Sequence, residues 1–162
     1  MKLTLLTLLS CLAVAVSAQA EFTLTLTGVH NCCGKCEKGI VEAVKKVEGA
    51  SATAEKSTVK ITAKDEATAK QAAASLLAAG YAGNESPAPT VTDAKVKTAT
   101  VSGVHLCCPK CVTAVDKALK TVPGVKTNNA TKGAASFTVE GDFSTAALAS
   151  ALQKSGFNGS IK

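Results

Sequence analysis

The chain is written twice. Gly28-Val29-His30-Asn31-Cys32-Cys33-Gly34-Lys35-Cys36 returns as Gly103-Val104-His105-Leu106-Cys107-Cys108-Pro109-Lys110-Cys111, each residue 75 positions from its counterpart. The match runs well beyond the cysteines. Leu24 and Leu26 answer Ala99 and Val101, and Ile40, Val44, Val47 and Gly49 answer Val115, Leu119, Val122 and Gly124 at the same offset. A one-residue insertion then shifts the offset to 76, pairing Val59, Ile61 and Ala63 with Ala135, Phe137 and Val139, and Leu76, Gly80 and Tyr81 with Leu152, Gly156 and Phe157. Repeats are settled before any fold is assigned. This one divides the chain into a first domain, residues 21–86, a linker, 87–94, and a second domain, 95–162, with 1–20 set apart. Glu85 to Ala94, with Pro87 and Pro89 among small polar residues, suits a semi-extended connection.

Each copy has the same order of elements. Phe22, Leu24 and Leu26 alternate with threonines, the period of a strand with one buried face. A cysteine loop follows. Ile40, Val41, Val44 and Val47, like Val112, Val115, Leu119 and Val122, recur at helical spacing, so a helix starts near Lys35 or Pro109 and ends before Gly49 or Gly124. Pro109 suits a first helical position, where its missing N–H leaves no bond unmade. Two short strands are expected around 51–55 and 58–63, and around 125–129 and 135–139. Asp65 and Ser144 are candidate caps of a second, Ala-rich helix. Gly80 and Gly156 close that helix, and Tyr81 and Phe157 are expected to begin a last strand. The order β-α-β-β-α-β, twice, predicts an α+β protein of two tandem ferredoxin-like domains, each an antiparallel sheet with two helices on one face. Tyr81 and Phe157 are expected in the core, and the four glycines Gly28, Gly103, Gly80 and Gly156 in turns.

Residues 1–20 are a different kind of text. Met1-Lys2, an apolar run from Leu3 to Val16, and Ala18-Gln19-Ala20 have the charged start, apolar core and small-x-small end of a cleavable secretory signal. The run is shorter than the ~20 residues that span a bilayer. Cleavage after Ala20 would leave a soluble exported chain from Glu21, periplasmic or secreted, with no membrane span. It would also remove Cys11, turning seven cysteines into six.

Composition excludes several partners. All eighteen basic residues are Lys, so the planar guanidinium fork that suits phosphate and guanine is missing, and the chain has no Trp, one Tyr and four Phe with which to stack bases. Nucleic acid is not expected. Neither copy holds a Ser-His-carboxylate set, a phosphate-cradling glycine loop or a clustered carboxylate pair, so no enzyme is expected.

The remaining chemistry is that of sulfur. The two copies contribute Cys32, Cys33 and Cys36, and Cys107, Cys108 and Cys111, with the chain's two histidines, His30 and His105, at matching places. A helix N-terminus favours the thiolate over the thiol, and Lys35 and Lys110 add nearby positive charge. Soft sulfur ligands select Cu(I), Zn and heavier relatives over Mg or Ca. Three sulfurs and an imidazole on one loop could fill a closed Cys3His tetrahedron suited to Zn. Adjacent cysteines on an extended loop point apart, so convergence of all four donors is not assured. Two other readings stay open. Exported cysteines commonly pair as disulfides, giving a stapled interaction module, although three per copy leaves one over. A thiol-disulfide redox protein is the other.

Glycine, an apolar residue, C-x-x-C opening a helix, and the closing Gly-Tyr or Gly-Phe together resemble the heavy-metal-associated domain of copper chaperones, mercury-binding periplasmic proteins and metal-pumping ATPases. The resemblance covers both copies. It implies that Cys33 with Cys36, and Cys108 with Cys111, hold a soft metal ion at the loop-to-helix junction. Two departures stand out. Val29 and Val104 replace the family's Met, and two extra residues precede each C-x-x-C pair, bringing in His30 with Cys32 and His105 with Cys107 as a third ligand or as acceptors during transfer. The expectation is metal buffering, scavenging or delivery, Cu(I) first and Zn, Cd or Hg after it, with a metal transporter or another metal-binding protein as possible partner. The linker is long enough for the two sites to meet and share one ion.

Overall fold

The computed structural model describes residues 21–162, so the expected leader, 1–20, lies outside the described residues. The first half runs β1 (Phe22–Leu26), α1 (Gly34–Lys45), β2 (Ala50–Glu55), β3 (Thr58–Ala63) and α2 (Glu66–Ala78). The second runs β4 (Lys95–Ser102), α3 (Pro109–Lys120), β5 (Val125–Asn128), β6 (Ser136–Ser144), α4 (Thr145–Lys154) and β7 (Ser160–Ile161). The second sheet has the order β5-β6-β4-β7, all neighbours antiparallel, which is the ferredoxin-like arrangement of a βαββαβ unit. The first has the same central order, β2-β3-β1. The chain is therefore α+β, two ferredoxin-like units in tandem.

The helices form where the apolar spacing places them. Cys36, Ile40, Ala43 and Val44 make one buried stripe of α1, and Cys111, Val115, Ala118 and Leu119 make the same stripe of α3. Opposite them, Leu26 pairs with Val59 and Leu24 with Ile61 across β1 and β3, and Val101 pairs with Phe137 and Ala99 with Val139 across β4 and β6. The Asp65 carboxylate accepts the Thr68 N–H at 2.7 Å and the Ser144 hydroxyl accepts the Ala147 N–H at 3.1 Å, so both expected caps open their helices.

Three expectations need correction. The first half has no fourth strand: Tyr81 makes a single antiparallel bridge, to Phe157 of the other half. Beyond it the Asn84 N–H donates to the Thr27 carbonyl at 2.7 Å, and the Glu85 carboxylate takes the Thr27 N–H at 2.6 Å, the bond a neighbouring strand would have accepted. Pro87 and Pro89, which lack N–H groups, could not extend such a ladder. In the second half the last strand is the two-residue β7 rather than a run beginning at Phe157, because the Phe157 N–H is committed to the Leu152 carbonyl closing α4. Finally, β6 continues to Ser144, beyond the expected Val139, through a positive-φ glycine, Gly141, and adds the buried Phe143 to the core.

Residues 87–94 contain no helix or strand. They are pinned to the second half instead of spanning open solvent. Gln153 Nε2 donates to the Pro87 carbonyl at 2.8 Å, Thr145 Oγ1 donates to the Thr92 carbonyl at 2.9 Å, and the Asp93 carboxylate accepts the Ser144 hydroxyl at 2.5 Å. No helix among the described residues is long and apolar enough to cross a membrane.

Candidate metal centre

Each cysteine loop is tied down on both sides of its sulfurs. Val29 and Val104 are buried and anchor the loops to the core, joined in the second loop by Leu106. The Val29 N–H donates to the Ser57 carbonyl in the β2–β3 turn at 3.0 Å, and the Leu106 carbonyl accepts the Gly133 N–H at 2.6 Å before β6. After the loop the helix takes over. Cys33 and Cys108 are the N-cap residues of α1 and α3, and Pro109 opens α3. Cys36 and Cys111 stand one turn in, fully buried at the head of each apolar stripe.

The two loops meet, and all six thiols form one cluster. Within the first loop, Cys36 Sγ lies 3.7 Å from Cys32 and 3.8 Å from Cys33; within the second, Cys111 Sγ lies 3.7 Å from Cys107 and 3.6 Å from Cys108. Between the loops, Cys32 lies 3.4 Å from Cys108 and 3.7 Å from Cys111, Cys107 lies 3.8 Å from Cys33 and 3.5 Å from Cys36, and Cys36 and Cys111 are 3.9 Å apart. None is bonded as a disulfide. Such separations are far beyond an S–S bond of about 2.0 Å and close to the edges of a metal–sulfur polyhedron. One side of the cluster opens through a cavity of about 430 Å³ lined by Cys33, Cys107, Cys108 and the lysines Lys35, Lys38 and Lys132.

What holds the loops together is a second symmetric contact, formed by residues expected only to fill cores and turns. The Ala82 N–H donates to the Gly156 carbonyl at 3.1 Å and the Asn158 N–H to the Gly80 carbonyl at 3.0 Å, so the two helix-closing segments pair back to back. Each aromatic then covers the other half's histidine. His30 stacks on Phe157 with ring centroids 4.4 Å apart, and His105 stacks on Tyr81 at 4.5 Å. The approach requires glycine at both closing positions. Gly80 and Gly156 have φ of +90° and +84°, and a Cβ would lie 2.6 Å from the His105 nitrogen at the first and collide with the His30 nitrogen at the second. The Tyr81 hydroxyl also donates to the Cys36 carbonyl at 3.2 Å, tying this contact to the first turn of α1.

The electrostatics sort the thiols into two kinds. Neither N-cap sulfur meets the geometry of a capping hydrogen bond, but each faces the free N–H groups of a helix start. The Cys111 N–H beside it, with Lys110, brings the Cys108 thiol down to about 6, and the Cys36 and Lys35 N–H groups hold Cys33 below its ordinary value. Burial pushes Cys32, Cys107 and Cys111 the other way, reinforced at Cys32 and Cys107 by neighbouring sulfurs. A cation at the centre would reverse that cost, since a coordinated thiol is deprotonated outright.

The expected ligands thus converge, with one asymmetry. A ring nitrogen of His30 joins Cys32 and Cys111 within 4.8 Å, whereas His105 joins no such donor group among the described residues. Each histidine has a buried Nε2 without a hydrogen-bond partner, and burial lowers both imidazole pKa values, keeping the rings neutral. No single loop gathers three sulfurs and its own imidazole into such a donor group among the described residues. Three of the four gathered donor groups mix the two loops, and the fourth, Cys107, Cys108 and Cys111, comes from the second loop alone.

No curated protein matches the sequence significantly. Among solved structures, the N-terminal soluble domains of Bacillus subtilis CopA, determined in solution, are similar at 18% identity over 89% of this chain and 95% of that one, with a TM-score of 0.34. Residues 98–158 match the family model of the heavy-metal-associated domain.

Proposed function

We propose that the protein is an exported, non-enzymatic carrier of soft metal ions, Cu(I) first, that buffers, scavenges or delivers metal through its cysteine loops. The observation that carries the reading is the gathering of six free thiols from two loops into one cluster. The first copy is read as a second heavy-metal-associated domain because it repeats the motif of the matched one, residue for residue, at Gly28, Val29, His30, Cys32, Cys33, Lys35 and Cys36. Export rests on the signal-like residues 1–20. Sulfur donors and neutral imidazole select Cu(I) or Zn over hard cations. The basic mouth suits arrival of the ion as an anionic complex or from an acidic partner, for instance a transporter or another metal-binding protein.

The test is thiol count and metal stoichiometry measured together on the chain from Glu21, kept reduced without oxygen and titrated with Cu(I) and with Zn against a competing chelator. Six reactive thiols that become protected as Cu(I) binds tightly support the reading. A preference for Zn would retain metal binding but change the ion. Few free thiols after mild reduction, with no tight binding, would replace it with the disulfide or redox alternatives. Mass spectrometry of the exported product checks the leader, with Glu21 expected as its first residue.

A further inference from the structure

The repeated motif carries one cysteine more than a C-x-x-C pair needs. Its place in the fold is informative. Cys32 and Cys33 are adjacent in sequence, as are Cys107 and Cys108; each extra cysteine meets one sulfur of its own C-x-x-C pair, Cys32 to Cys36 and Cys107 to Cys111 at 3.7 Å, but both sulfurs of the other copy's pair. Cys33, Cys36 and Cys107 form a triangle with edges of 3.8, 3.5 and 3.8 Å. Cys108, Cys111 and Cys32 form another, with edges of 3.6, 3.7 and 3.4 Å. The two triangles share no sulfur, use all six, and exchange under the symmetry that relates the copies.

We propose that the protein holds two three-sulfur sites, each completed in trans: Cys107 is the third ligand of the Cys33–Cys36 pair, and Cys32 is the third ligand of the Cys108–Cys111 pair. The inference rests on the soft-metal reading above and specifies its coordination. With a metal–sulfur bond of about 2.3 Å, a planar three-coordinate site has sulfur–sulfur edges of ~4.0 Å, so both triangles reach it by small outward movements. A same-loop set also gathers in the second copy, where the sulfurs of Cys107, Cys108 and Cys111 lie within 4.8 Å of one another, but it must use adjacent cysteines whose side chains leave an extended N-cap backbone in different directions; φ and ψ are −165° and 166° at Cys33, and −151° and 167° at Cys108. As an ion enters, each triangle releases its remaining thiol protons to solvent. Three thiolates around a monovalent ion leave two negative charges, and the lysines at the mouth, Lys35, Lys38 and Lys132, lie where they offset them. Crossed ligation also makes each bound ion a fastener between the two halves, placed beside the stacked His30–Phe157 and Tyr81–His105 pairs.

Removing one pair separates crossed from same-loop ligation. In the full chain from Glu21 carrying Cys33→Ser and Cys36→Ser, the surviving pair is Cys108–Cys111. Crossed ligation predicts that adding Cys32→Ser lowers Cu(I) affinity at least ~10-fold and reduces the sulfur coordination seen by X-ray absorption from three to two, while adding Cys107→Ser changes neither. Same-loop ligation predicts the reverse, and that result overturns the proposal, as does equal loss from both. The mirror set, Cys108→Ser and Cys111→Ser with Cys107→Ser or Cys32→Ser added, repeats the test on the other site, and circular dichroism confirms folding of each variant. If the wild-type chain binds neither Cu(I) nor Zn, the soft-metal reading fails and this one with it. If it binds Cu(I) tightly but Cys32 and Cys107 prove dispensable, only the crossed ligation fails.

Discussion

The carbonyl oxygen of Gly156 accepts the backbone N–H of His30 from the other half of the molecule, at 3.3 Å, while Gly156 itself holds a φ of +84°. One residue thus ends α4 and seats the opposite cysteine loop. Gly156→Ala is expected to suffer twice, from the left-handed backbone, about 1–2 kcal/mol, and from its Cβ meeting the His30 nitrogen and Gly28 carbonyl, about 1–3 kcal/mol. Gly133 gives the control. It has a φ of +78° but nothing within 4 Å of an added Cβ, so Gly133→Ala should show only the backbone cost. Denaturant unfolding of the two variants measures the difference; equal losses would mean that the close approach at Gly156 has no energetic weight.

Phe157 and Tyr81 do the same job with different chemistry. Phe157→Ala removes a fully buried ring and uncovers His30, and should cost about 3–5 kcal/mol. Tyr81→Phe keeps the ring and its stack on His105 but deletes the hydroxyl bond to the Cys36 carbonyl, so about 0.5–1.5 kcal/mol is expected. Urea unfolding followed by far-ultraviolet circular dichroism reads both. A Tyr81→Phe loss as large as that of Phe157→Ala would show that the hydroxyl, not the ring, secures this contact.

Metal should stabilise both halves at once. A ligand held at a hundred times its dissociation constant adds about 2.7 kcal/mol, and because sulfurs from both loops enclose the same space, neither half should melt ahead of the other. Tyr81 is the chain's one tyrosine and reports on the first half where it meets the second, whereas circular dichroism reports on both halves throughout. With Cu(I) bound, the two melting curves are expected to coincide at a higher temperature, and a chelator should return them to the metal-free value. A Tyr81 transition unmoved by metal would mean the first half takes no part in binding.

The sequence carries the interior of each domain more clearly than the relation between them. The stripe from Cys36 to Val44 and its counterpart from Cys111 to Leu119 are regular enough to place both helices within a residue of their starts, since one buried face imposes one period. The absence of a fourth strand from the first half could not be anticipated from Gly80-Tyr81, because those residues pair across the interface and a carboxylate, Glu85, replaces the missing ladder. Phe143 was hidden by the longer β6 strand: the second helix starts 79 positions after its counterpart's start, not 76, so local alignment hides the extra core residue. The metal ligands were legible as a set but not as an arrangement. Matching His30 with His105 and Tyr81 with Phe157 by offset shows which residues repeat; only the docked halves show that each histidine lies on the other copy's ring.

The two kinds of thiol should separate in their reactivity with pH. In the metal-free protein the Cys108 thiol, drawn down to about 6 chiefly by the Cys111 N–H at the start of α3, is mostly thiolate at neutral pH. Burial holds Cys32 and Cys107 above the ordinary value of 9.0, so they remain protonated there. Since only the thiolate attacks, the alkylation rate of Cys108 by iodoacetamide should rise through its titration and level off by about pH 8, while those of Cys32 and Cys107 keep climbing beyond pH 9. Cys33, lowered by the same feature of α1, should follow Cys108. The low pKa also makes each thiolate a weaker nucleophile, so the plateau of Cys108 is expected to lie below the limiting rate of an exposed model thiol. Timed labelling with peptide mass spectrometry resolves the cysteines individually. A Cys108 midpoint near 9, or Cys32 labelled first at neutral pH, would contradict the role assigned to the helix N-terminus. Metal at the cluster should protect all six.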